Sequence, residues 1–304
     1  MPFAVLIVVA LIAGGFTFVL ARRYPATAAA EAPARAASGK LAEEAAHRPW
    51  LSNLLRTRLD PSTATGLALT LALVVAILGG LVLGALAYLM RTNAALVNID
   101  NSVGQWEFDH ASPLSTHGLH AVTQLADTYT VIALIAIVSV VEYLRLPNRW
   151  IPVFLVTVVV GEIVLVNVIK QALDRVRPAF DPAAASLGPS FPSGHSATAA
   201  ATYAAVALVL ARRRAPVTRA LIAAGAVAIA VAVATSRVML GVHWLSDAIA
   251  GLAFGWAWFA VCAVAFGGRL LSFGAPVEAA TKAVEQERTS VAVQPRASDP
   301  RSTS

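Results

Sequence analysis

The heptapeptide FPSGHSA, residues 191–197, combines residue types that suit anion chemistry at the start of a helix. Pro192 and Gly194 are poor residues inside a helix but good ones around its first turn. If Ser193 caps a helix that begins near Gly194, free backbone N–H groups and the positive pole of the helix dipole favour an anion there. Gly194 lets an oxyanion approach the backbone closely, and His195 can reach the same anion from the first turn. An ordinary capped helix without a ligand is the alternative interpretation.

A second histidine, His243, lies four residues before Asp247 in the stretch SRVMLGVHWLSD, residues 236–247. In a helix this spacing lets the carboxylate reach the imidazole. An Asp that accepts a hydrogen bond from one ring nitrogen fixes the tautomer and leaves the lone pair of the other nitrogen available for attack. Arg237 precedes this pair and adds a cation. A plain surface ion pair would have the same spacing.

The third stretch is KQALDRVRP, residues 170–178, at the end of an apolar run. Lys170 and Arg177 are seven residues apart, which is two helical turns, so a helix would point both to one side. Two cations on one face repel each other unless an anion is shared between them. The planar fork of Arg suits phosphate oxygens, and Lys acts as a mobile point charge. The alternative is that both side chains extend from the membrane edge into water.

The elements that must position these residues are membrane spans. Of the 304 residues, 58% are hydrophobic and 13% are charged, whereas a soluble domain carries roughly a quarter charged residues. Apolar runs of about 20 residues mark membrane spans. Such segments occur at about 3–20, 66–90, 127–144, 151–169, 195–211, 218–235 and 247–267. The expected fold class is therefore all-α, a polytopic membrane helical bundle with a six-span core and one extra N-terminal span. The single cysteine, Cys262, lies in an apolar run and is expected to be a packing residue.

Positive charge predicts the orientation of these spans. The net charge is +6, and we interpret it as cytoplasmic loop charge, so no nucleic-acid partner is expected. The basic stretches are the loop 21–65, the turn 145–149, the stretch 212–219 and the tail beyond 268. All of them fall on one side when the spans alternate, which predicts that this side is cytoplasmic and that the N-terminus is outside. Four cations then lie on the outer side, where positive charge needs a reason such as an anion: Lys170, Arg175, Arg177 and Arg237.

These patterns predict four regions: a transmembrane segment 1–22, a cytoplasmic basic linker 23–65, a six-span domain 66–268 and a disordered cytoplasmic tail 269–304. Residues 47–59 within the linker suit a short interfacial helix. The outer loop 91–126 is expected to hold an amphipathic helix on the membrane, with Val103, Trp106 and Phe108 inward.

Other ionisable residues are expected to have no part in the chemistry. Glu162, in the middle of a span, is expected to form an interior hydrogen bond. His110, His117 and His120 lack metal-ligand spacing and are expected to be solvated.

The three stretches together resemble the type 2 phosphatidic acid phosphatase superfamily. That family's signature is Lys, six residues, Arg-Pro; then Pro-Ser-Gly-His; then Ser-Arg, five residues, His, three residues, Asp. This chain has Lys170 to Pro178, Pro192 to His195, and Ser236 to Asp247 in the same order and spacing. The signature covers residues 170–247, and the spans from 66 to 267 are similar to the family's membrane bundle. Residues 1–65 and the tail lie outside the resemblance.

The resemblance implies an integral membrane phosphatase acting on a lipid phosphate or polyprenyl diphosphate monoester at the outer surface. It implies that His243 attacks phosphorus and forms a phosphohistidine, that Asp247 holds its imidazole, and that His195 protonates the leaving oxygen. It further implies that Lys170, Arg177, Ser193, Gly194 and Arg237 bind the phosphate. These cations can stabilise the charge of phosphoryl transfer, so no metal and no cofactor is expected.

Three other functions use similar residues. A vanadate-dependent haloperoxidase resembles the same oxyanion pocket, but those enzymes are soluble and seven spans argue against it. A lipid transporter or scaffold with a silent site would not require His243, His195 and Asp247. A lipid phosphotransferase would pass the phosphoryl group to an acceptor other than water, and this alternative stays open.

The expected partners are a lipid phosphate or diphosphate and membrane lipids. The Ala- and Arg-rich composition suggests a GC-rich bacterial genome.

Overall fold

A computed structural model of the chain describes residues 2–23, 77–178 and 188–271, except 82, 86, 91, 146 and 213. All regular elements in these ranges are helical. They are α1 (Pro2–Arg23), α2 (Ile77–Met90), α3 (Ala94–His110), α4 (Pro113–Thr123), a 3-10 turn (Gln124–Ala126), α5 (Thr128–Arg145), α6 (Trp150–Leu173), α7 (Gly194–Ala211), α8 (Pro216–Met239) and α9 (Leu245–Leu271).

Six helices within the described ranges are long and apolar enough to cross a membrane. They are α1, α5, α6, α7, α8 and α9, and they confirm the expected all-α membrane bundle. The predicted second span corresponds to α2, whose described part is bent by 82° relative to α3. Three predicted features lie outside the described residues: residues 66–76 of that span, the linker with the expected interfacial helix 47–59, and the tail after residue 271.

Helix α7 is the central helix of the bundle because small residues let its neighbours approach closely. Its alanines at 197, 199, 200, 201 and 205 are completely buried. Gly251 of α9 faces the start of α7, where a Cβ would lie 2.5 Å from the carbonyl oxygen of Ser193. Only glycine permits that approach, which brings the second turn of α9 against the start of α7.

The opposite end of the bundle carries the basic residues that were predicted to be cytoplasmic. The buried carboxylate of Glu142, near the end of α5, lies 3.3 Å from Arg145 and 3.6 Å from Arg212, which follows α7. Two of the basic stretches therefore meet at one end of the bundle, as alternation of the spans requires.

The outer loop contains α3, α4 and the 3-10 turn. Val103 and Trp106 of α3 pack against the apolar cluster of α8 and α9, as expected. Phe108 does not join this packing: its side chain is 57% exposed, and its contact with the membrane stays a prediction. Position 108 is two residues from 106, which is more than half a turn around the helix. The inward face instead carries Asp100 and Glu107, both buried.

Two sets of ionisable residues behave as the sequence predicts. Glu162 accepts a hydrogen bond from Thr198 Oγ1 at 2.9 Å in the bundle interior. His110, His117 and His120 are exposed. Among the described residues, no three His, Cys, Asp or Glu side chains are grouped so that they could hold a metal ion.

Candidate active site

The predicted site residues come from four helix ends at one end of the bundle. Helix α6 ends there and is followed by residues 174–178, while α7 begins there after residues 188–193. Helix α8 also ends there, and a short turn leads into α9. The three stretches singled out by sequence, 170–178, 191–197 and 236–247, are therefore brought together by the alternation of the spans.

Arg177 reaches the site on an extended segment, and the prediction of a continuous helix from Lys170 to Arg177 was wrong. Helix α6 ends at Leu173, and Asp174 adopts a left-handed conformation with φ 40°. Asp is among the residues that tolerate this region best. The chain then turns back, so that Arg177 is buried and donates from Nη1 to the Val242 carbonyl at 2.8 Å.

His243 lies in the turn before α9, so the prediction that a helix contains both His243 and Asp247 was also wrong. Asp247 is in the first turn of α9, and its Oδ2 accepts a hydrogen bond from the Trp244 backbone N–H at 3.1 Å. This is one half of a capping box. His243 Nδ1 lies 3.5 Å from the same Oδ2 and has no hydrogen-bond partner among the described residues.

The other nitrogen of His243 determines its tautomer. His243 Nε2 lies 3.1 Å from Nη1 of Arg177, and a guanidinium can only donate. Nε2 therefore carries the lone pair, and the ring proton is on Nδ1, facing Asp247. Burial lowers the pKa of His243 from 6.5 to about 4, a shift that Arg177 and Arg237 reinforce and Asp247 opposes. The imidazole is thus neutral, with its lone pair toward the cationic part of the site.

Arg175 lies in the site, whereas the sequence analysis placed it on the outer side and assigned it no role there. Its Nη1 donates to Oδ1 of Asp247 and to Ser246 Oγ, and its Nη2 donates to Oδ2 of Asp100 at 2.9 Å. Asp100 also accepts a hydrogen bond from the Ser246 backbone N–H at 3.0 Å. Arg175 therefore lies between two buried carboxylates, one on α9 and one on the outer helix α3. The available signal was an acidic residue on the inward face of α3.

Asp127 is a second residue to which the sequence analysis assigned no role, and it faces His195. Its Oδ1 lies 3.0 Å from His195 Nε2. Four residues earlier, Thr123 Oγ1 accepts a hydrogen bond from Arg237 Nη1 at 3.2 Å. The end of α4 and the segment that follows it thus contact one predicted histidine and one predicted arginine. The signal in the sequence was an acidic residue directly before a membrane span.

The remaining predicted residues lie at the start of α7. Ser193 is the N-cap of α7 as expected, but its hydroxyl bonds Ser196 and its N–H donates to the Asp247 carbonyl at 3.1 Å. Ser193 is completely buried, so its contact with phosphate stays a prediction. A Cβ on Gly194 would lie 3.8 Å from Lys170 Nζ, which shows that the ammonium is beside the first turn of α7.

This arrangement can bind an oxyanion and attack it. It offers the cations Lys170, Arg177 and Arg237, a helix N-terminus and a neutral imidazole with its lone pair inward. A second imidazole, that of His195, is held by a carboxylate and can transfer a proton.

Comparisons with known proteins show which family this chain resembles. Residues 151–270 match the PAP2 superfamily. The chain is similar to a lipid A 1-phosphatase of Rhizobium etli, with 39% identity over 37% of this chain and 48% of that protein. It is also similar to phosphatidylglycerophosphatase B of Bacillus subtilis, with 29% identity over 56% of this chain and 84% of that protein. The chain spans about half the length of the lipid A 1-phosphatases that it matches.

A solved structure has the same fold. It is the crystal structure of the first transmembrane PAP2 type phosphatidylglycerolphosphate phosphatase from Bacillus subtilis. The TM-score is 0.55 and the identity 29%, over 61% of this chain and 92% of that one. The expected resemblance is thereby confirmed: residues 151–270 match the PAP2 superfamily, and this multi-pass membrane protein is similar in fold to a transmembrane PAP2 phosphatase.

Proposed function

We propose that this protein is an integral membrane phosphatase that hydrolyses a lipid phosphate or polyprenyl diphosphate monoester through a phosphohistidine. The observation that carries the proposal is the setting of His243. Its imidazole is buried and neutral, its Nδ1–H faces Asp247, and its Nε2 lone pair faces Arg177. A nucleophile with a fixed tautomer beside an anion-binding cation is what attack on a phosphate requires.

In the first half of the reaction, His243 Nε2 forms a bond to phosphorus. The bond from phosphorus to the ester oxygen breaks, and its electron pair stays on the leaving oxygen. His195 gives that oxygen a proton, so the lipid leaves as a neutral alcohol, or as a monophosphate when the substrate is a diphosphate. Asp247 stabilises the imidazole of His243 as it gains positive charge.

In the second half, a water molecule attacks the phosphohistidine. His195, now neutral, takes a proton from this water as the new bond to phosphorus forms. The bond from phosphorus to Nε2 breaks, and its electron pair returns to His243. Inorganic phosphate leaves, and both histidines have regained their starting states.

Charge develops on the non-bridging oxygens during both steps, and fixed cations can stabilise it. Arg237 is suited to this role because its buried Nε has no hydrogen-bond partner among the described residues. A buried N–H of a charged group without a partner is costly, and a phosphate oxygen would satisfy it. Lys170 and Gly194 lie beside each other at the start of α7 and offer a second contact.

The relatives extend the range of candidate lipids. Two of them, a lipid A 1-phosphatase and a phosphatidylglycerophosphatase, add lipid A to phosphatidate, phosphatidylglycerol phosphate and polyprenyl diphosphate. We further propose that the site faces outward from the cytoplasm. The support is that the basic residues Arg145 and Arg212 meet at the opposite end of the bundle.

The experiment is phosphate release from purified protein in detergent against these four lipids. Turnover of at least one is expected, together with an acid-labile phosphoenzyme after rapid quenching. His243→Ala is expected to abolish both signals, and Asp247→Asn to leave a small residue of turnover. His120→Ala, which changes an exposed histidine, is the matched control and should retain full activity.

Two outcomes would contradict the proposal. If His243→Ala kept more than about a tenth of activity, it would have lost only about 1.4 kcal/mol of transition-state stabilisation, too little for a nucleophile. No turnover of any lipid, with or without an added alcohol acceptor, would favour a silent transporter or scaffold. Turnover only with the added alcohol would identify a phosphotransferase.

A further inference from the structure

We propose that Asp127 is a positioning residue for His195, and that the pair acts as the proton-transfer unit of the site. Asp127 accepts from Nε2 of His195 and leaves Nδ1 to face the substrate. The inference rests on the proposed function, because it assigns a partner to the group that protonates the leaving oxygen. Asp127 precedes the region that matches the PAP2 superfamily, residues 151–270.

The contact between Asp127 and His195 is held in place because the elements that carry them are joined by a further hydrogen bond. Asp127 Oδ1 lies 3.0 Å from His195 Nε2, and the side chains of Asp127 and His195 are 44% and 32% exposed. His195 is fixed by the first turn of α7. Two turns later, Tyr203 of the same helix donates from its hydroxyl to the Leu125 carbonyl at 2.9 Å. The 3-10 turn before Asp127 is thus fastened to the helix that carries His195.

A carboxylate beside His195 compensates for the positive charges around this imidazole. The positive charges of Lys170 and Arg237 repel a protonated His195 imidazole. A general acid must nevertheless carry a proton beside these charges. Asp127 is the carboxylate that offsets these charges, and its hydrogen bond also sets the ring orientation. In the first step, the proton on Nδ1 passes to the leaving oxygen while Nε2–H stays bonded to Asp127. In the second step, Nδ1 takes the proton of the attacking water, so the imidazole returns to its starting state.

A purely structural role for Asp127 makes a different prediction. Its backbone carbonyl accepts from the Val131 N–H at 2.9 Å, so Asp127 also occupies the N-cap position of α5. Asn is as good an N-cap as Asp. Asp127→Asn therefore keeps the cap and the shape but removes the negative charge, and it separates the two roles.

The test uses two soluble probes that differ in leaving group, phenyl phosphate and 4-nitrophenyl phosphate, with purified full-length protein in detergent. A nitrophenolate leaves without much help from an acid, whereas a phenolate needs the proton. Asp127→Asn is expected to lower kcat/KM for phenyl phosphate by about tenfold to a hundredfold and for 4-nitrophenyl phosphate by less than about threefold. Asp109→Asn, on an exposed carboxylate bonded to Gln105, should leave both values within about twofold.

A double mutant completes the test. In a His195→Ala background, Asp127→Asn should have no further effect on phenyl phosphate, since a positioning residue acts only through its partner. An equal loss for both probes, or losses that add in the double mutant, would overturn the inference. Failure of the proposed function is distinguishable, because the unaltered protein would then release phosphate from neither probe.

Discussion

Acid should destabilise this protein through His243. The imidazole is 3% exposed, and burial lowers its pKa from 6.5 to about 4. The folded form therefore binds a proton less readily than the unfolded chain does, so the free energy of unfolding falls as the pH drops from about 6.5 to about 4. At 1.36 kcal/mol per pKa unit, the loss from this one residue is about 3 kcal/mol.

The assay is thermal unfolding of the purified protein in detergent, followed by tryptophan fluorescence, at pH 7 and at pH 4. His243→Gln removes the titrating group and keeps a donor and an acceptor of similar reach. For a chain of this size, about 3 kcal/mol corresponds to a Tm difference of about 6–12 °C. The variant should lose that much less Tm than the unaltered protein between the two pH values. His120→Gln, at an exposed histidine, should behave like the unaltered protein.

One result would refute the reasoning. If His243→Gln and the unaltered protein lost the same Tm on acidification, the proton would not be excluded from His243 by folding. The imidazole would then take up a proton in the folded protein as readily as in the unfolded chain, which would contradict the assignment of a buried imidazole that stays neutral.

Three further predictions concern the site and the orientation. Arg175→Ala should lower kcat/KM about tenfold to a hundredfold, since a hydrogen bond to a charged group contributes about 1.5–3 kcal/mol. Arg175→Lys should recover only part, because a lysine cannot fork between two carboxylates; full activity of Arg175→Ala would contradict this. Phosphate release should continue in excess EDTA and should fall when vanadate is added. Arg237→Ala should weaken both turnover and inhibition by vanadate. Activity that EDTA abolishes and Mg²⁺ restores would contradict the metal-free mechanism. In a Cys262→Ala background, Ala111→Cys should react with an impermeant maleimide in intact cells and Ala215→Cys should not; the opposite labelling would reverse the orientation.

The sequence predicted at which end of the bundle the candidate site residues lie better than it predicted the backbone conformation of those residues. Hydropathy located the six spans, because a helix must cover the hydrocarbon thickness with apolar residues. Spacing alone did not reveal that α6 stops before Arg177 or that α9 starts after His243. Both departures occur at helix ends, where a single left-handed residue or a capping carboxylate changes the path of the chain.

The partners of the site residues were not predictable from local patterns. Asp100 and Arg175 are 75 positions apart, and Asp127 and His195 are 68 apart. No helical or strand period connects residues at such separations, because the contacts depend on how whole helices pack. The visible signs were acidic residues on an inward helix face and before a span. Their partners became evident only with the fold.

The contact between Arg177 and His243 has a consequence for which esters can react. The Arg177 guanidinium is bonded to the Nε2 lone pair of His243, which is the lone pair that attacks phosphorus in the proposed mechanism. A phosphate monoester carries anionic oxygens that can compete for Arg177. Binding of the ester can thereby free the Nε2 lone pair for the attack. An uncharged triester has no such handle, so it would meet a covered imidazole. We therefore expect triphenyl phosphate to leave His243 unmodified at concentrations where monoesters are expected to phosphorylate it. The site would then select its substrates by their negative charge.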